Sequence, residues 1–249
     1  MPNFNIVSTE AVEMDRDEPY CNRAKLDTGP LCNYNCSFCY YQGDLHKRTS
    51  LEVIVKRLNY LVECGIKEVD LSGGESSLHP QWFELLDICK SKGLKISTLS
   101  NGYKFADKEF LQQSKDHGLE EILFSVHGFD AKSHDKIVDH DRAFEKIIRA
   151  INNAKELGLV VRVNCVVTVD NYANLSTDFV ELMLALNPLE VNFLTLNYWG
   201  NVTELPTVPY KTVTDEIKKS IDKLKDHVKY INVRYTPYCY MEGYEKYVC

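Results

Sequence analysis

The sequence predicts an α/β fold built on a parallel sheet, and three observations carry that prediction. Short apolar runs, several rich in β-branched residues, alternate with amphipathic stretches of helical period. Six such strand–helix units follow one another with short connections. The polar residues that interrupt this pattern fall just after the apolar runs, where parallel sheets collect their ligands.

Lys25–Thr28 opens the series as a short strand, and a cysteine-rich loop follows it. A helix spans about Ser50–Cys64. Glu68–Leu71 is the second strand and runs into Gly73-Gly74. Pro80–Lys92 carries Trp82, Leu85, Leu86 and Cys89 at helical spacing. Lys95–Leu99 is the third strand, ending at the turn signal Asn101-Gly102. Asp107–His117 is a helix stopped by Gly118. The fourth strand, Glu121–His127, leads to a helix at Arg142–Leu157 that Gly158 ends. Val160–Thr168 is strand five, Leu175–Leu186 a helix broken by Asn187-Pro188, and Glu190–Asn197 strand six. A loop with Pro206 and Pro209 precedes a helix at Thr212–Lys225 and a last strand at Tyr230–Tyr235. Strands so connected are covered by helices, in a doubly wound sheet or in a barrel.

A chain of 249 residues suits one large α/β domain. Its net charge of -7 disfavours a general nucleic-acid binder, which needs a basic footprint. No apolar run approaches the roughly 18 residues of a membrane span, so no membrane partner is expected. Met1–Asp15 lacks the basic start and apolar core of a secretory signal. The nine cysteines are odd in number and unevenly spaced, unlike a secreted disulfide scaffold. They point to a reducing, cytoplasmic setting in which some serve a metal. Cys64 and Cys89 fall within helical patterns and read as small buried apolar residues.

Cys32, Cys36 and Cys39 form Cys-x3-Cys-x2-Cys within Pro30–Tyr40. Three thiolates in eight positions can wrap one metal centre and leave one iron of a [4Fe–4S] cube without a protein ligand. A structural zinc site would need a fourth ligand, for which His46 is the candidate. Asn33, Asn35 and Ser37 make the loop a poor piece of metal-free core.

With Phe38 as the aromatic, Cys-x3-Cys-x-aromatic-Cys after a first strand resembles the signature of the radical S-adenosylmethionine (SAM) superfamily, and the resemblance runs from about Lys25 to Asn197. It implies a partial (β/α)6 TIM-like barrel with a short C-terminal extension. The expected division is an N-terminal segment 1–23, a core 24–200 and an extension 201–249. It also implies that Cys32, Cys36 and Cys39 hold a [4Fe–4S] cluster whose open iron chelates SAM. Gly73-Gly74-Glu75 matches the family segment that contacts the SAM amino group. Two glycines let backbone approach a ligand, and a carboxylate accepts from an ammonium group. The family often continues Gly-Gly-Glu-Pro-x-x-His-Pro. Here Ser76 replaces the proline while His79-Pro80 remains, and His79 reads as a helix-start residue. Ser125, in Ser-Val-His-Gly, resembles a serine near the SAM ribose or carboxylate in peptide-modifying members. His127 faces substrate or is a hydrogen-bonded structural histidine. Asn101, Arg162 and Asn164 are polar groups in or beside apolar strands and need partners, which SAM or the barrel interior would supply. Arg162 is the candidate for the SAM carboxylate. Cys239 and Cys249 flank Gly243 in an aromatic-rich tail that resembles the start of the twitch or SPASM extensions, which carry an auxiliary iron–sulfur cluster. Cys21 is a further candidate ligand there.

The reaction so implied is reductive cleavage of SAM to a 5′-deoxyadenosyl radical that abstracts hydrogen from substrate. It requires a one-electron reductant such as flavodoxin or ferredoxin. A peptide or protein is the expected substrate, on the strength of Ser-Val-His-Gly and the tail. A nucleotide or other small metabolite is the alternative. An iron–sulfur electron carrier is the reading from another class, and Gly73-Gly74-Glu75 argues against it, since a carrier needs no ammonium site.

Overall fold

The computed structural model describes residues 22–196 and 206–249; Met1–Asp15, Cys21 and Asn197 lie outside them. Seven strands form one parallel sheet in sequence order: β1 Arg23–Asp27, β2 Glu68–Ser72, β3 Lys95–Ser100, β4 Leu119–Ser125, β5 Val160–Val167, β6 Glu190–Thr195 and β7 Tyr230–Arg234. Helices α1 Leu51–Glu63, α2 Trp82–Ser91, α3 Lys108–Asp116, α5 Ala143–Glu156, α6 Val180–Leu186 and α7 Tyr210–Leu224 connect them, with α4 Ala131–Val138 an extra turn-and-helix after β4. The sheet is therefore a half-barrel, and the expected partial barrel holds. The last strand pairs in parallel with β6, from Glu190↔Tyr230 to Leu194↔Arg234. α7 and β7 thus form a seventh unit of the same sheet. Among the described strands, β1 and β7 remain the two open ends.

Strand alternation separates the two faces. Ala24 and Leu26, Val69 and Leu71, and Ile231 and Val233 turn outward, and most of them join the apolar core beneath the helices. The inner face is polar. Ser50 caps α1 by accepting from the Val53 N–H, and Asp107 caps α3 by accepting from Glu109 and Phe110. Cys64 caps the C-terminal end of α1 and is exposed, off the apolar stripe of Leu51, Ile54 and Leu58 that its helix buries; Cys89 is buried as expected. The predicted helix at Leu175–Leu186 opens with a π turn, Leu175–Phe179, before α6. No helix among the described residues is long and apolar enough to cross a membrane.

At its amino end the inner face is closed by charge. Arg162 on β5 donates to Asp70 at 3.0 Å and Ser97 at 2.8 Å, and lies 3.4 Å from Glu121 and 3.8 Å from Glu190. Arg23 joins Glu68, Asp70 and Glu121, and Lys95 joins Glu121. This network is a polar floor under the barrel lumen.

Candidate active site at the mouth of the barrel

The cysteine loop leaves β1 through Gly29, whose N–H donates to Asp27 Oδ1 at 2.7 Å. It is fastened on two sides. Toward β2, Gly74 N–H donates to Gly29 O at 2.8 Å and Glu75 N–H to Leu31 O at 2.7 Å. Toward α4, the last-turn carbonyls of Val138 and Ile137 accept from Asn35 N–H at 3.2 Å and Ser37 N–H at 3.0 Å. A Cβ on Gly74 would meet Leu31 O at 2.3 Å and Pro30 O at 2.4 Å. Gly73 takes φ 137°, a region that favours glycine, and its Cβ would meet Gly29 O at 2.3 Å. The two glycines therefore admit the backbone of the cysteine loop itself, while also bordering the cavity beside it.

That cavity, about 770 Å³, opens at the carboxyl ends of the strands, and Cys32, Cys36 and Cys39 all line it. A wider groove of about 930 Å³ lies outside the barrel against α1 and α2 and holds none of the candidate residues. The three cysteines are free and half-buried. Burial pushes the Cys32 thiol up to about 12 and raises Cys36 and Cys39, with neighbouring thiols adding to the shift at Cys32 and Cys36. A cationic centre would displace those protons and stabilise the thiolates. Tyr34 N–H and Asn101 Nδ2 point at Cys32 Sγ from 3.5 and 3.8 Å, as donors do around iron–sulfur clusters. Three thiols in one cavity with donors aimed at sulfur fit an iron–sulfur donor set. They are not drawn together to ligand distance, and no group of three or more His, Cys, Asp or Glu is so gathered among the described residues. His46 is exposed and does not border the cavity, so it closes no zinc site there.

Phe38, Gly73, Gly74, Asn101, Ser125 and Asn164 border the same cavity. Asn101 Nδ2 also donates to Asn33 Oδ1 at 3.0 Å, tying the end of β3 to the loop. Phe38 meets the His127 ring edge-on, centroids 4.7 Å apart. His127 Nδ1 accepts from Val166 N–H at 3.1 Å, which leaves the ring proton on Nε2. Burial holds this histidine well below 6.5, so the ring is neutral. His127 N–H in turn donates to His134 Nδ1 at 3.2 Å. His79 bonds to Thr49 O and to Gln81 N–H at the start of α2, in keeping with a helix-start role.

Two expected cofactor contacts lie elsewhere. Glu75 is buried, and its carboxylate accepts from Ser77 Oγ at 2.5 Å, Ser100 Oγ at 3.0 Å and Asn101 N–H at 2.7 Å. Burial raises its pKa against the pull of those donors. These partners are the chain's own donors, and Glu75 does not itself border the cavity. Arg162 does not border the cavity, because its guanidinium is held in the floor by Asp70 and Ser97. In the tail, Cys239 and Cys249 are exposed, with no gathered set of ligands among the described residues, and Cys249 N–H bonds back to Val233 O at 3.1 Å. Cys21 lies outside the described residues. Lys25, Tyr40, Tyr41 and Tyr235 border the cavity and were not singled out by sequence. Lys25 carried the same signal as Arg162, a charge inside a short strand.

The model of the family described as the Radical SAM superfamily matches residues 26–189. GTP 3′,8-cyclase of Aquifex aeolicus is 32% identical over 180 residues, 68% of this chain and 56% of that protein. The probable GTP 3′,8-cyclase of Sulfolobus acidocaldarius is 31% identical over 173 residues, 68% and 54% of the two chains. The chain thus spans little more than half the length of these relatives. SuiB of Streptococcus suis, solved with S-adenosylmethionine, superposes with a TM-score of 0.71 at 14% identity, over 86% of this chain and 50% of that one, a likeness of fold.

Proposed function

The chain belongs to the radical SAM superfamily, and from that premise we propose that it directs radical chemistry at a nucleotide substrate. It is an enzyme whose cofactors are a [4Fe–4S] cluster and SAM. Bound together, these supply a 5′-deoxyadenosyl radical once a one-electron reductant, of the flavodoxin or ferredoxin kind, breaks the C5′–S bond. The observation that carries the reading is the meeting of three free thiols with the glycine edge of β2 in one cavity.

On this reading Cys32, Cys36 and Cys39 hold the cluster. Gly73, Gly74, Asn101, Ser125 and Asn164 hold SAM along the ends of β2–β5, and Phe38 packs against its adenosyl part. His127 fixes Phe38 and offers an Nε2–H donor without taking up a proton. Residues 24–200 are the SAM-cleaving core, and the 201–249 extension contributes Tyr235 to the cavity. Glu75 and Arg162 serve as positioning residues, one for the β3 turn and one for the floor.

The nucleotide reading is favoured over a peptide by two relatives near 30% identity that are named for action on GTP. Tyr40, Tyr41 and Tyr235 add aromatic faces at the mouth on which a base can stack. Reduced, cluster-loaded protein mixed with SAM and either GTP, other nucleotides or short peptides tests this. Substrate-dependent 5′-deoxyadenosine is expected with a nucleotide, carrying deuterium when the nucleotide is deuterated at the reacting carbon. Stimulation by peptides alone would overturn the nucleotide reading.

A further inference from the structure

Among the described residues, four buried side-chain polar atoms have no hydrogen-bond partner: Asn33 Nδ2, Tyr34 Oη, His134 Nε2 and Arg162 Nε. Arg162 belongs to the floor, and His134 to the stacked pair with His127. The other two sit on consecutive residues of the cysteine loop, between Cys32 and Cys36. A buried donor left unpaired costs about 1–3 kcal/mol. Two such donors side by side need acceptors that the chain itself does not supply.

The amide of Asn33 is oriented by its neighbours. Tyr103 N–H donates to Asn101 Oδ1 at 3.0 Å, so Asn101 turns its Nδ2 to the loop. That Nδ2 donates to Asn33 Oδ1 at 3.0 Å and lies 3.8 Å from Cys32 Sγ. The amide group of Asn33 left over is therefore its donor end. Tyr34 is 3% exposed and borders the cavity together with Cys32 and Cys36. With Val138 and Ala143 it forms a small apolar cluster against which both cysteines pack. Its ring is further held by His140, centroids 4.4 Å apart. Packing thus fixes the ring, while the hydroxyl, a donor, is bonded to no described residue.

We propose that Tyr34 Oη and Asn33 Nδ2 donate hydrogen bonds to the sulfur atoms of the iron–sulfur cluster and thereby raise its reduction potential. The inference rests on the assignment of the cluster to Cys32, Cys36 and Cys39, and adds what tunes it. One electron passes to the cluster from the external reductant; no bond of the protein forms or breaks, and no proton moves. The added negative charge strengthens donors aimed at sulfur, so they favour the reduced state over the oxidised one. Tyr34 N–H already points at Cys32 Sγ from 3.5 Å, and the two side chains extend that set of donors. SAM is a less suitable acceptor for the pair, because Asn33 does not border the cavity.

The test is a potentiometric titration of the reconstituted protein without SAM, followed by the spin signal of the reduced cluster. Tyr34→Phe keeps the ring and removes the hydroxyl, and Asn33→Ala removes the amide. Each is expected to lower the reduced fraction at a fixed potential roughly tenfold, a midpoint about 59 mV more negative for one electron. Tyr60→Phe, the same change on an exposed residue of α1, should leave the midpoint where it is. Exchange into D2O should alter proton couplings to the wild-type cluster, one of them missing in Tyr34→Phe. Equal midpoints in iron-loaded wild type and both variants overturn the inference, and so does a shift seen only with SAM present, which would assign the donors to SAM. Where one variant does not load iron, the other carries the comparison. Loss of iron from both overturns the tuning role and makes the two side chains supports of the loop. Iron retained after Cys32, Cys36 and Cys39 are all replaced by alanine overturns the cluster assignment itself, whatever the midpoints.

Discussion

Glu75 fastens three segments at one point: its N–H holds the cysteine loop, and its carboxylate holds Ser77, Ser100 and the Asn101 amide. Glu75→Gln turns one acceptor oxygen into an NH2 that faces donors. The expected loss is about 1–3 kcal/mol of folding stability, measured by urea unfolding. Weaker SAM binding with unchanged stability would instead put the carboxylate against the cofactor. Arg162→Met removes the most buried cation of the floor, leaving Arg23 and Lys95 to serve Asp70 and Glu121, and Glu190 without its ion pair. About 3–5 kcal/mol should be lost, while SAM affinity of the folded protein stays unchanged, as titration of the reduced cluster's spin signal would show. The three thiols were legible in sequence because their close spacing puts them on one loop, and all three border the cavity. The level of Arg162 was not. Alternation reveals which face a strand residue takes but not its depth, and Arg162 sits two positions, roughly 6–7 Å, below Asn164. That step separates the floor from the cavity.

The elements around the loop act as a clamp, with β2 on one side and the end of α4 on the other. Gly74→Ala should open it, since the new methyl collides with two carbonyl oxygens that cannot yield without moving the loop. Iron content after reconstitution should fall well below that of wild type while the helical far-UV signal stays. Gly158→Ala is the control: its φ of 71° costs something, but no atom lies within 4 Å of the new methyl. A Gly74→Ala protein that loads iron as wild type does would mean that the clamp does not set the loop. The long amphipathic helices and the strands were read from periodicity to within a few residues. α4 escaped because it is only eight residues long, five of them polar or charged, with its apolar residues confined to the two ends. Its start was nonetheless written in Asp130 and Ser133, a reciprocal capping box. Missing it hid half of the loop's support.

Across the whole molecule, folding is linked to pH through two stacked, buried histidines, His127 and His134. Burial holds His134 at about 4 and His127 well below 6.5. The unfolded chain protonates both near 6.5, so the folded state is fully favoured above that pH and loses stability as pH falls through the window down to about 4. His134 alone should cost about 2 kcal/mol at pH 5. Urea unfolding at pH 5 and 7.5 would show it, and His134→Asn should flatten the slope. The sheet itself was legible as parallel, whereas its extent was not, because one short strand at Tyr230–Arg234 cannot announce that it continues the barrel. Its place at the edge of the described sheet has a mechanical meaning. A closed barrel is a hoop: widening it means rupturing a ladder of hydrogen bonds, each worth about 1 kcal/mol net. Among the described residues β1 and β7 do not pair with each other, and such a sheet is a split ring. It widens by small changes in twist shared over six strand pairs, and nothing has to break. A substrate broader than the resting mouth therefore meets an elastic resistance that grows smoothly with its size, and the ring springs back behind it.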